Sequence, residues 1–261
     1  MELYPEIPAI GHPPLGSIAA FVAVILFVVL WLVVSVCISG EGIDKREDRR
    51  RVALFVTGLL AWLVLGAVLP MSGLLHWKVM PPPGLVFAVV CFVVGAIFTF
   101  SRIGTRLVSL PVYWLIGVHV FRLPLELILH RWYVSGTIPV QMTFEGYNFD
   151  IATGVIALVV GRWAKYASPP KFIIWFFNVV GLLLLLTVVS IAITSVPTPF
   201  RQFTNEPPLL LPFYFPYSYI VSIAVTGALV AHLVLFRKLV ESKQDHPSTI
   251  EQTTEGNHGE N

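Results

Sequence analysis

Apolar residues in this chain gather into unbroken runs, separated by short polar or proline-rich breaks, rather than recurring on one helix face or alternating along strands. Helices of about 20 such residues, rising about 1.5 Å per residue, cross about 30 Å of hydrocarbon. Seven stretches qualify: 16–38, 52–70, 85–101, 108–132, 149–166, 172–194 and 217–237. Proline punctuates the breaks, at Pro81, Pro82 and Pro83, at Pro169 and Pro170, and at six positions between Pro197 and Pro216. The pattern predicts an all-α, polytopic transmembrane bundle of about seven helices, forming one domain over residues 1–240. The third stretch is short and the fourth long, so each is expected to tilt or kink. Pro124 removes a backbone donor from the fourth and should bend it. Ala224, Gly227, Ala228 and Ala231 are spaced to let the seventh pack closely. From Glu241 to Asn261 the chain is polar, and a disordered tail is expected there.

Composition agrees. Hydrophobic residues make up 56% of the chain and charged ones 12%, where a soluble domain carries about 25% charged residues. Mean hydropathy is +0.79. The bilayer is therefore the expected surrounding, and a net charge of +2 gives no reason to expect a nucleic-acid partner. Cys37 and Cys91 fall inside apolar stretches with neither CxxC nor metal spacing, and read as buried thiols. The residues before the first run hold two acids and no Lys or Arg, and the run is too long for a signal peptide's apolar region. It reads as a true span.

The basic residues then set the orientation. Lys45, Arg46, Arg49, Arg50, Arg51, Arg102, Arg106, Arg162, Lys165, Lys171, Arg237, Lys238 and Lys243 all fall on one side, thirteen of the 17 Lys and Arg. Lys78, Arg131 and Arg201 fall on the other, and Arg122 lies within a span. The positive-inside rule puts the N-terminus outside and the C-terminus in the cytoplasm. Trp77, Trp132, Tyr133, Tyr147, Tyr214 and Tyr217 are expected to form an aromatic belt at the outer boundary.

Candidate chemistry concentrates in the fourth stretch. His119, Arg122, Glu126 and His130 are spaced to share one stripe, roughly 80° wide, on an otherwise apolar helix. A charged side chain at mid-membrane costs about 2.5–3.5 kcal/mol on insertion scales, so the stripe must face inward. Arg122 and Glu126, at i and i+4, are expected to pair. That pair reads equally as a structural lock for the bundle or as a functional seam. The following loop brings Glu145, Asn148 and Asp150 to the same boundary, with Asp150 at the positive end of the next helix. Together these residues are expected to converge on a polar pocket opening outward.

Other chemistry is weaker. His232 and Asn178, on the seventh and sixth stretches, read as a helix–helix hydrogen bond before they read as a ligand site. His119 and His130 lie about 16 Å apart along the helix axis, too far to share one metal ion. The last span has no lysine at mid-membrane for a retinal Schiff base, and Ser109 and Ser222 have no identifiable base. No nucleotide-binding or zinc-protease motif is present, and nothing calls for a cofactor.

The run FRLPLELILHRWYVSGTIPVQMTFEGYNFDI, Phe121 to Ile151, resembles a group of uncharacterised bacterial multi-pass membrane proteins. So does VPTPFRQFTNEPPLLLPFYFPYSYI with Ala231-His232-Leu233 and Arg237-Lys238-Leu239. The resemblance implies a bacterial cytoplasmic membrane and weight on Arg122, Glu126, His130, Glu145, Asn148 and Asp150; it lends no reaction. Three classes fit: a small-solute or ion transporter or binding protein, an accessory subunit docked on another membrane protein, and an enzyme using Glu126, His130, Glu145 or Asp150 at the outer interface.

Overall fold

The computed structural model describes residues 11–40, 44–75 and 80–244, and every regular element among them is helical. Six of the helices are long and apolar enough to cross a membrane. Their outward faces carry large apolar side chains, among them Leu26, Leu60, Val64, Ile97 and Leu183, as lipid surroundings require.

The chain begins with α1 (Leu15–Ile38) and α2 (Lys45–Met71). The second helix starts seven residues before its apolar run, because Asp44 caps it by accepting from the Arg46 and Glu47 amides, and Glu47 and Asp48 suit the helix dipole. The basic cluster is therefore itself helical. After α3 (Pro83–Phe100) comes the short α4 (Arg102–Leu107), capped by Ser101 through the Gly104 amide. The predicted span from 108 thus starts late, at Val112 behind Pro111.

That fourth crossing is broken into α5 (Val112–Gly117), one 3₁₀ turn (Val118–Phe121) and α6 (Arg122–Val134). The break falls just before Pro124, which has no N–H to offer the Val120 carbonyl one turn earlier. The predicted fifth span is α7 (Ile151–Tyr166). At 16 residues it is about 24 Å long, short of the hydrocarbon thickness, and it is not among the six helices of membrane length. Next comes α8 (Lys171–Ser195). The last crossing opens with a π turn (Ile220–Val225) and continues as α9 (Thr226–Gln244), three residues beyond Glu241; residues 245–261 of the expected tail lie outside the described residues. Widening at the π turn leaves the Ser222 carbonyl to accept from Trp62 Nε1 at 3.1 Å.

At one end of the bundle several basic side chains cap carbonyls at helix ends. Arg51 donates to Val36 O at 2.7 Å and to Ser39 Oγ, Arg237 to Thr99 O at 2.6 Å, and Lys238 to Val108 O at 2.8 Å. The opposite end corrects the aromatic belt. Trp132 is fully buried rather than interfacial, its Nε1 donating to Ser17 Oγ at 2.9 Å between the Phe21 and Tyr217 rings, and Tyr217 is buried too. The Ser17 hydroxyl and two facing rings give the indole a better site inside than at the rim. Tyr147 and Tyr214 are exposed, and Trp77 lies outside the described residues. On the last crossing, Ala224 and Ala228 are buried, and Gly227 comes up against Val28 of α1.

Candidate functional site

The 3₁₀ turn and α6 carry His119, Arg122 and Glu126 into the interior, where each is almost wholly shielded; Arg122 is 1% exposed and Glu126 2%. Arg122 does not pair with Glu126. Its Nη1 meets Asp150 Oδ1 at 2.8 Å and donates to the Gly181 carbonyl at 3.2 Å, so one guanidinium joins α6, α7 and α8. An arginine four residues before an acid is the poorer order for a pair within one helix. Asp150, delivered from a second element, offers a direct approach. That delivery depends on Gly154, where an added Cβ would come within 2.6 Å of the Leu123 amide nitrogen.

Glu126 is held by Asn148 instead. Asn148 Nδ2 lies 2.8 and 2.9 Å from the two carboxylate oxygens and 3.0 Å from the Met142 carbonyl. Asn148 Oδ1 accepts from the Asp150 amide at 3.1 Å, and Thr153 Oγ1 donates to Asp150 Oδ1 at 3.1 Å. The loop thus folds back onto the seam. It can do so because Gly146 sits against Gln141, where a Cβ would strike the backbone. Gln141 fixes the loop from above, donating to Ser195 Oγ at 3.0 Å and accepting from Asn205 Nδ2 at 2.7 Å.

Below Arg122 the seam continues into two imidazoles. The rings of His119 and His232 lie 4.0 Å apart, with Phe177 packed against both. His232 Nδ1 shares a hydrogen bond with Asn178 Oδ1 at 2.9 Å. Gly181 makes room, since a Cβ there would lie 2.6 Å from His232 Cε1 and 2.9 Å from Nε2. Both nitrogens of His119, Nε2 of His232, and Nε and Nη2 of Arg122 are buried with no hydrogen-bond partner among the described residues.

Toward the other end the seam reaches the surface at His130 and Glu145, 3.6 Å apart, with side chains 28% and 50% exposed and the His130 ring stacked on Phe144. The nine candidate residues therefore form one series, His130 and Glu145 at the surface, then Glu126, Asn148, Asp150 and Arg122, then His119, His232 and Asn178. The expected outward-opening pocket takes a different form: the polar groups converge, but packed and buried, with solvent reaching their His130–Glu145 end. Among the described residues no three His, Cys, Asp or Glu side chains gather to hold a metal ion. Thr153, Gln141, Ser195, Asn205 and Gly181 escaped the sequence reading. A lone glycine inside the apolar run of α8 was the one visible signal, marking a close approach.

Six apolar helices of membrane-spanning length, with a buried ionisable seam on one side of α9, define the class among the described residues: an all-helical protein suited to a membrane. Residues 80–240 match a family model described as Domain of unknown function (DUF8737), and the chain belongs to that family. The matched region contains the whole seam and begins after α2. No curated protein and no solved structure matches the chain.

Proposed function

We propose that this chain is a multi-pass protein of a bacterial cytoplasmic membrane, N-terminus outside, whose seam carries protons coupled to binding or passage of a small polar solute. The observation behind this reading is the group of five buried, unpartnered nitrogens on His119, His232 and Arg122. An interior built only to lock helices together pairs its polar groups, since each buried bond left unmade costs about 1–3 kcal/mol. Here imidazoles and carboxylates follow one another from the half-exposed His130–Glu145 end inward, the kind of series along which protons pass in membrane proteins. Glu126, Glu145 and Asp150 outnumber Arg122, which favours a proton or other cation over an anion. The thirteen basic residues at the opposite end support the orientation.

The test is reconstitution of the full-length protein into liposomes holding a pH-sensitive dye, under a potassium-diffusion potential. Proton entry should exceed that of protein-free liposomes, and Glu126→Gln and His119→Phe should each bring it down to the protein-free rate. Glu126→Gln keeps one oxygen to accept from Asn148 Nδ2 but turns an amide N–H toward the same nitrogen, so its fold is checked by melting temperature alongside the flux. Wild-type flux no greater than that of empty liposomes would sink the proton reading.

A second reading, as an accessory subunit, draws on α2. Its buried residues are Gly66 and Pro70, while Leu60, Val64, Leu65 and Val68 face outward. Such a face suits a partner helix. Co-purification with one protein in fixed ratio, lost on Leu60→Trp, would favour it.

A further inference from the structure

On the side of α9 away from the seam lies a partly open apolar cavity of about 390 Å³, lined by α1, α2, α3, α4 and the last crossing, with Leu115 and Val118 at its floor. Its volume is within the range of small-molecule sites. The cavity exists because α2 is held at two places and stands off between them. At the basic end, Arg51 ties it to the Val36 carbonyl and Ser39 of α1. Farther along, Trp62 donates to Ser222 O, Tyr219 Oη to Leu63 O, and Ser218 Oγ to Gly66 O. Leu54, Phe55, Gly58 and Leu59 span the gap and line the cavity.

The lining says what fits. Ser35, Ser222 and Thr226 bring hydroxyls to it, but each is already spent on a backbone carbonyl of its own helix, at Trp31, Ser218 and Val221. Trp114 Nε1 also donates to Ser35 Oγ at 2.7 Å. The hydroxyl hydrogens of the lining are thus engaged, and apart from them and the Trp31 and Trp62 indoles the walls are made of aliphatic and phenyl side chains, which suits a hydrocarbon guest.

The rim says what the hydrocarbon is attached to. Leu54 and Phe55 follow Arg50 and Arg51 by about one helical turn, and Ile103 and Leu107 of α4 neighbour Arg102 and Arg106. The side chains of Arg50, Arg102 and Arg106 make no hydrogen bond or ion pair among the described residues, and none is buried. We propose that this cavity binds one acyl chain of an anionic phospholipid, with the phosphate held by Arg50, Arg102 and Arg106. Apolar walls take the tail while three unengaged guanidiniums at one end discriminate the headgroup. The site stands apart from the seam and does not depend on the function proposed for it.

Native mass spectrometry of the full-length protein in non-ionic detergent tests this, titrating dioleoyl phosphatidylglycerol against dioleoyl phosphatidylcholine so that the tails are identical. One saturable phosphatidylglycerol adduct is expected, about tenfold tighter than phosphatidylcholine. Gly58→Phe should fill the cavity and weaken both lipids about tenfold with the melting temperature kept. An added Cβ at Gly58 meets nothing within 4 Å. The triple variant Arg50→Gln, Arg102→Gln, Arg106→Gln, which alters no buried residue, should keep an adduct but lose the preference for the anionic headgroup. The proposal is overturned by equal affinities in the wild type, by a triple variant that still prefers phosphatidylglycerol, or by a folded Gly58→Phe protein that binds lipid as before. It is equally overturned by a two-chain species that Gly58→Phe dissociates, which would place a second copy in the groove.

Discussion

The two sides of α9 are packed by opposite rules. Toward α8 the helix presents His232, and the neighbouring backbone comes so close that only a glycine, Gly181, fits beside the imidazole. Toward α2 it presents Thr226, Gly227 and Val230 to an apolar space, where Gly58 has nothing near its missing side chain. Polar groups in lipid are costly unless kept from it, so the polar side is drawn tight even where, as at His232 Nε2, no hydrogen bond is made. Apolar groups lose little by facing lipid instead of protein, so the other side can stay loose. Between these two faces, the tighter packing is on the polar one.

Substitutions can break this contrast, and the largest effect is expected at Arg122. Arg122→Ala leaves Asp150 buried without its partner and should cost about 3–5 kcal/mol in detergent unfolding. Adding Asp150→Ala should return much of that loss; no recovery would show that the pair does not act as a unit. Next in size is Gly181→Ala, whose methyl would press on His232 and Thr153, destabilising by about 1–3 kcal/mol in the same assay. Removing the indole N–H with Trp132→Phe loses the bond to Ser17 and should lower stability by about 1 kcal/mol. The smallest change, with opposite sign, is expected on the loose side. Gly58→Ala should stabilise by about 0.5–1 kcal/mol, because alanine is the better helix former and nothing blocks it. If Gly58→Ala and Gly181→Ala were equally harmful by thermal melting, the two faces would not differ as described.

Much of the architecture was legible because each apolar run is bounded by charge or proline. The limits of α1, α3 and α8 lie within two residues of the expected ones. The α2 start was hidden, since capping by Asp44 extends a helix into charged residues that hydropathy excludes. The 3₁₀ turn was foreshadowed by Pro124, though the break falls one turn earlier than the ring itself. In the seam, helical spacing placed His119, Arg122 and Glu126 on one inward stripe, but spacing within a helix cannot reveal a partner from another. Asp150 takes Arg122, and Asn148 takes Glu126, because a loop folds back through Gly146. Trp132 went inward because Ser17, far away in sequence, supplied an acceptor.

The arginine and lysine contacts at the basic end have a consequence for how the polypeptide can be re-threaded. In the orientation proposed above, Arg51, Arg237 and Lys238 belong to the charge by which insertion would be sorted, and the same side chains finish helix ends at Val36, Thr99 and Val108. Moving those charges to invert the protein would strip the terminal carbonyls of their donors. Direction of entry and firmness of the helix ends are thus welded together, and a mutant designed to alter one will fray the other.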